Sequence, residues 1–362
     1  MTAAGLSSPH SPSVTMPTAA FDTSASHDVR LDLVRTWVES IFGTPAFAVA
    51  PASADASFRR YFRVTPEAPW RGQTTLIAMD APPPMEDCRP FVHVARLLAA
   101  AGLHPPQVLE QDLDRGLLLL TDLGERTYLA ALDPASAAGL YSDAIDALIR
   151  WQRATRDGEL PSYDETLLTR ELNLFPDWYV GKHLGIALSP AQAQILAAAF
   201  RQILDNNLRE PRVYVHRDYH SRNLMVATPN PGVLDFQDAV VGPITYDLVS
   251  LLRDAYIAWD EELQIDWAVR YWERARKAAL PVGDDFSVFW RDFEWMGVQR
   301  QLKVLGIFAR LQHRDGKAAY VGEMPRVMAY LRAACARYRA LEPLLQVLDT
   351  LEARRPAVGY SF

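Results

Sequence analysis

The chain has 362 residues, 49% of them apolar and 22% charged, which is enough for two lobes, each with a core of its own. Its formal net charge of −7 argues against non-specific nucleic-acid binding or attachment to an anionic membrane as the main activity. Cys88 and Cys335 lie far apart, with no CxxC or Cys/His cluster, so neither a zinc site nor a disulfide framework is expected and a reducing cytosol fits.

Residues 1–27 are rich in Ser, Pro, Thr and Ala and hold no Lys or Arg. They lack the basic start and apolar middle of a secretory signal and read as a disordered tail. No apolar run approaches the ~18–20 residues that a membrane helix needs. "VRLDLVRTWVESIFG" (29–43) has helical spacing, with Leu33, Trp37 and Ile41 on one face and Gly43 as its stop. "SFRRYFRV" (57–64) and "TTLIAM" (74–79) read as strands. A helix, "FVHVARLLAAAG" (91–102), follows, and then a further strand pair in "PQVLEQD" (106–112) and "GLLLLTDLG" (116–124). That order predicts a small sheet with one packed helix over residues 28–124.

From about residue 125 the pattern turns helical and stays so to residue 362. In "SPAQAQILAAAFRQIL", Ser189 is the expected N-cap and Pro190 the first helical residue. Short strands interrupt only around 213–236. The predicted fold class is therefore α+β, with a small antiparallel sheet lobe followed by a mainly helical lobe.

The chemistry concentrates in "VYVHRDYHSRNLMV" (213–226) and "GVLDFQD" (232–238). Two apolar strands each end in a carboxylate, Asp218 and Asp235, and Asn223 lies on the chain between them. Phosphoryl transfer needs such a set: one carboxylate to accept the attacking hydroxyl's proton, and an amide oxygen with a second carboxylate to hold Mg²⁺ against nucleotide phosphates. Asp218 is then the base and Asn223 and Asp235 the metal ligands. Asp and Asn also favour turns, so a polar turn is the competing reading of either segment alone. The ordered set of three within twenty residues favours catalysis.

With "HRDYHSRN" and "LDFQDAVVGPITYDLVSLL", the chain resembles the aminoglycoside phosphotransferase family of the protein-kinase-like superfamily. The resemblance implies a bilobal protein-kinase-like fold, ATP and Mg²⁺ as cofactors, and a monomer with no nucleic-acid or membrane partner. It makes Asp247 the buried aspartate that anchors the catalytic loop, and leaves His216 and Arg217 to brace that loop. It also sets the adenine against "LLLLTDLG", where backbone groups of Thr121, Asp122 and Leu123 would read its edge.

The lysine that usually clamps the phosphates is missing. Met79 stands in its place, and the first lysine in the chain is Lys182. A degenerate pseudokinase would lose this clamp, but would have no reason to keep Asp218, Asn223 and Asp235 together. Otherwise arginine replaces it: Arg59 and Arg63 fall on one strand face and Arg60 on the other, and a guanidinium fork suits phosphate oxygens. Asp55 and Ser57 in the preceding loop could add backbone donors.

"SDASFRRYFRV", "IAMDAPPPMEDCRPFV" and "TRELNLFPDWYV" extend the resemblance to the anomeric N-acetylmuramate/N-acetylglucosamine kinases of cell-wall recycling. This implies an amino sugar as substrate, with another small amino sugar or alcohol as the alternative. Residues 299–340 carry nine Lys/Arg against Asp315 and Glu323, which suits an anionic substrate better than a polycationic aminoglycoside. Glu171, Trp178, Tyr179, Arg300 and Lys303 are the expected sugar-binding residues, because rings stack on sugar faces and carboxylates take paired hydroxyls.

Overall fold

A computed structural model describes residues 28–54 and 58–353. The expected tail and Ser57, with Asp55, lie outside these residues. The first lobe opens with helix α1 (Val29–Phe42), whose last turn ends on Gly43 at φ 71°, a conformation that costs glycine little. Its buried face is Val34, Trp37 and Val38, flanked by the partly covered Leu33 and Ile41.

Five antiparallel strands follow: β1 (Phe47–Ala54), β2 (Arg60–Pro66), β3 (Leu76–Asp80), β4 (Val108–Asp112) and β5 (Leu117–Thr121), in the spatial order β1-β2-β3-β5-β4. Strand β1 is not expected from the sequence. It carries Pro51 at a register shift on the sheet edge, the position where a missing N–H does least harm. Helix α2 (Arg89–Ala100) covers one face of the sheet and α1 the other. Strand β5 is accordingly apolar on both sides: Leu117 and Leu119 join the α1 core, while Leu118 and Leu120 join the larger core with α2.

The second lobe contains α3 (Tyr128–Ala131), α4 (Ala137–Arg153), α5 (Glu165–Leu172), a wide-turn π-helix over Phe175–His183, and α6 (Pro190–Asn207). Ser189 caps α6 in a reciprocal pair with Gln192. Two short ribbons then build the centre: β6 (Arg212–Val215) with β9 (Val240–Pro243), and β7 (Leu224–Met225) with β8 (Gly232–Val233). Helices α7 (Tyr246–Leu252), α8 (Glu261–Lys277), α9 (Phe286–Asp315), α10 (Met324–Arg337) and α11 (Glu342–Ala353) complete it.

Helix α9 runs through the middle of this lobe and packs against the π-helix. Gly306 makes the contact possible, since a Cβ there would come within 2.4 Å of the Leu174 backbone. The basic residues of α9 therefore do not share one environment: Arg300 and Lys303 are buried, whereas Arg314 is exposed and paired with Asp315. Among the described residues no helix is long and apolar enough to cross a membrane.

Candidate active site

Strand β6 buries Val213, Tyr214 and Val215, and its end delivers His216, Arg217 and Asp218. The chain turns sharply there, with Arg217 at φ 76°, a left-handed conformation that a non-glycine residue holds only when its surroundings compel it. Asp247 supplies that compulsion. Its Oδ2 accepts the His216 N–H at 2.6 Å and its Oδ1 the Arg217 N–H at 2.9 Å. Burial pushes the Asp247 carboxyl up to about 7, against these two donors, which favour the charged form. Seven residues on, Asp254 accepts the Ser221 N–H at 2.8 Å. Helix α7 and the turn that follows it therefore pin both halves of the loop.

His216 is buried, and loss of solvation pushes its imidazole down to about 4 despite the Asp218 carboxylate nearby. It is thus neutral, and its Nδ1 accepts the Asp218 N–H at 3.3 Å. Tyr219 donates to the Ala144 carbonyl at 2.8 Å, tying the loop to α4.

The β7–β8 hairpin pairs Leu224 with Val233 and so sets Asn223 beside Leu234 and Asp235. The Asn223 amide nitrogen donates to the Asp218 carbonyl at 3.0 Å and to Asp235 Oδ2 at 3.3 Å. Gln237, where protein kinases have glycine, donates to Asp235 Oδ1 at 2.9 Å. Asp235 also sits at φ 60°. With the Asn223 nitrogen committed, the group it can offer a cation is its side-chain oxygen. Among the described residues no cluster of three or more His, Cys, Asp or Glu could cage a metal ion. Asn223 and Asp235 fit Mg²⁺, which takes one or two protein ligands and completes its shell with water and phosphate oxygens.

Behind Asp218 lies a buried charge network. Glu171 accepts from Arg217 at 2.5 Å, from the Tyr163 hydroxyl, and lies 3.2 Å from the Lys303 ammonium, which also donates to the Tyr246 hydroxyl at 2.8 Å. Burial alone would raise the Glu171 carboxyl, but Lys303 and Arg217 hold it below its usual value. The same balance acts on the partly accessible Asp218. Burial works to raise it, and Lys303, His220, Arg217 and Arg300 outweigh burial, so it is ionised at neutral pH.

Of the expected sugar residues, Glu171 and Lys303 are therefore bound to each other beside the Asp218 loop, each buried. Tyr179 is buried with its ring stacked on Phe175 and on His183, whereas Trp178 is partly accessible. Arg300 is 4% exposed and near Asp218.

In the first lobe, Met79 is fully buried and joins the core that contains Phe91 of α2 and Phe236, whose rings lie 4.7 Å apart. Helix α2 carries no acidic residue, so both members of the usual lysine–glutamate pair are replaced by apolar contact. All three candidate arginines face carboxylates. Arg59 precedes β2 and lies 3.7 Å from Glu86, Arg60 bonds Asp80 at 2.7 Å, and Arg63 bonds Asp122 at 2.6 Å. Asp80 is buried and also receives Arg30 at 2.9 Å. Asp122 further accepts the Gly124 N–H, and the Thr121 hydroxyl accepts the Gln107 N–H. Leu123 reaches β8, where a Cβ on Gly232 would approach it to 2.9 Å.

Sequence reasoning does not find Tyr163 or Asp254. Asp254 alone carries a signal, a charge closing the apolar run "LVSLLRD".

The sequence and the fold have clear counterparts. N-acetylmuramate/N-acetylglucosamine kinase of Pseudomonas putida KT2440 is 47% identical over 338 residues, covering 90% of this chain and 98% of that protein. The protein of the same name from Neisseria meningitidis serogroup B is 46% identical over 322 residues, covering 88% and 95%. An aminoglycoside phosphotransferase solved with streptomycin and ATP superposes with a TM-score of 0.55 at 15% identity, over 83% of this chain and 96% of that one. A choline/ethanolamine kinase family protein from Mesorhizobium loti gives 0.57 at 14% identity, over 89% and 99%. These two share the bilobal kinase-like fold. A family profile described as the phosphotransferase enzyme family matches residues 48–285, and the chain belongs to that family.

Proposed function

We propose that the protein transfers the γ-phosphoryl group of ATP to the anomeric hydroxyl of N-acetylmuramate or N-acetylglucosamine, releasing ADP and a sugar 1-phosphate. The observation that carries this reading is the Asn223 amide, which ties the Asp218 loop to the Asp235 carboxylate in one hydrogen-bonded unit. Curated kinases of these sugars align with the chain over nearly their whole length.

Asp218, ionised, accepts a hydrogen bond from the attacking hydroxyl and aligns its oxygen with the phosphorus. As the new P–O bond forms and the bond to the ADP oxygen breaks, the hydroxyl proton passes to Asp218. A carboxylate with a depressed pKa is a weak base, which suits a loose transition state where positioning matters more than early proton removal. Asn223 and Asp235 would hold Mg²⁺, which when bound neutralises phosphate charge.

The adenine would lie at Thr121–Leu123, over the Leu123–β8 contact. Arg59, Arg60 or Arg63, with Ser57 in the neighbouring loop, would meet the phosphates in place of lysine. Arg300 and Trp178 would contact the sugar, while Glu171 and Lys303 hold the loop from behind. The two buried thiols, Cys88 and Cys335, suit a reducing cytosol.

The test is ADP release with ATP, Mg²⁺ and each sugar in turn. Sugar-dependent release that vanishes in Asp218→Asn is the expected result. Stabilisation by nucleotide without ADP release for any sugar would instead mark a non-catalytic binder.

A further inference from the structure

Arg222 stands out among the arginines around the site. Arg59, Arg60, Arg63, Arg217 and Arg253 each face a carboxylate. The exposed Arg222 makes no ion pair among the described residues. Its guanidinium lies over the Tyr256 ring at 4.7 Å and beside the Tyr320 ring at 5.7 Å, with the two tyrosine hydroxyls as its polar partners. Tyr256 and Tyr320 are themselves backed by Phe308, at 6.1 and 5.3 Å, and His220 leans on Tyr256 at 5.5 Å. The result is an aromatic shelf holding one cation in place.

Position gives the shelf its meaning. Arg222 is four residues after Asp218 and immediately before Asn223. Four residues span at most about 14 Å between Cα atoms, and the turn here, with the His220 N–H on the Asp218 carbonyl at 3.0 Å, shortens that. An acid attached across the ring of a hexose whose anomeric hydroxyl meets Asp218 falls within that bound. A guanidinium fixed by aromatic rings and lacking a counter-charge loses little entropy when it takes a carboxylate through two parallel hydrogen bonds.

We propose that Arg222 is the specificity-determining residue that takes the lactyl carboxylate of N-acetylmuramate, a group that N-acetylglucosamine lacks. The inference rests on the sugar kinase reading above and adds the residue by which the two sugars are told apart.

The test compares the wild type with Arg222→Met and Arg222→Lys, measuring kcat/KM for both sugars and the KM for ATP. In Arg222→Met the N-acetylmuramate to N-acetylglucosamine ratio of kcat/KM falls about ten- to a hundredfold, mostly through the KM of N-acetylmuramate. Arg222→Lys, which keeps the charge but not the fork, recovers part of it. Parallel losses on both sugars, or a loss that appears in the KM for ATP, overturn the inference and point to a phosphate contact. If wild-type protein phosphorylates neither sugar, the sugar kinase reading fails first, and this inference fails with it.

Discussion

The two lobes treat their charges in opposite ways. In the first lobe the arginines near the expected phosphate site are each matched to a carboxylate, and the position of the usual lysine is filled by Met79 in an apolar core. In the second lobe Lys303, Arg217 and Arg300 act together on Asp218, and Lys303 and Arg217 share the buried Glu171 as counter-charge. The difference shows where preorganisation lies. The Asp218 loop is held by Asp247 of α7 and by Asp254 just past its end, both through backbone N–H groups, while the arginines of the first lobe are each held by a carboxylate side chain.

The comparison can be broken from either side, and the second lobe offers the larger effects. Asp218→Ala should lower kcat by about 10²–10⁴-fold in a coupled ADP assay, with the melting temperature nearly unchanged. Asp235→Ala should cost on the order of 10²-fold or more and make the remaining activity need much higher Mg²⁺, since only Asn223 would remain to hold the ion. If both variants retain wild-type rates, chemistry does not occur at this loop.

Glu171→Gln tests the network behind the loop. It leaves Arg217 and Lys303 buried without their counter-charge and should destabilise the fold by about 3–5 kcal/mol in denaturant titration. The carboxyl of Glu171 is depressed in the folded state, so its contribution is present above its unfolded value and is lost as pH falls through the folded one. The stability gap between wild type and Glu171→Gln should therefore narrow in acid. A gap of the same size at all pH values would mean that the pair contributes by packing alone.

Lys303→Met is subtler. It removes the largest cationic influence on Asp218, whose carboxyl then rises. With Asp218 as the proposed base, activity needs the ionised form, so the acid limb of kcat/KM should move to higher pH in this variant. An unmoved limb would show that Lys303 does not act on Asp218. The smallest effects belong to the first lobe: Arg59→Gln should raise the KM for ATP a few-fold, and Arg60→Gln should act mainly on stability through the buried Asp80. A loss in Arg59→Gln as deep as that in Asp218→Ala would erase the contrast between the lobes.

Much of this arrangement is legible in the chain itself. The spacing of Asp218, Asn223 and Asp235 survives because two short ribbons join strand ends close in sequence, so local order carries over to spatial order. Helix α6 is equally plain, since Ser189, Pro190 and Gln192 cap it locally. Strand β1 escapes notice because Pro51 and a run of Ala and Ser disguise an edge strand whose pairing is set by β2. The burial of Lys303 is hidden for a different reason: a charged residue at helical spacing looks solvated until the partner is known, and Glu171 lies 132 positions away. The same holds for Arg222, whose tyrosine shelf comes from Tyr256 and Tyr320 on other elements.

The account stands or falls on the position of the transferred group. Incubation with ATP, Mg²⁺ and N-acetylglucosamine or N-acetylmuramate, followed by proton-coupled phosphorus NMR, reads that position directly. An anomeric phosphate, seen as a doublet coupled to the single proton on C1 and formed together with ADP, is the predicted result. A phosphate at C6, split by two protons, or inorganic phosphate alone with the sugar unchanged, would contradict it.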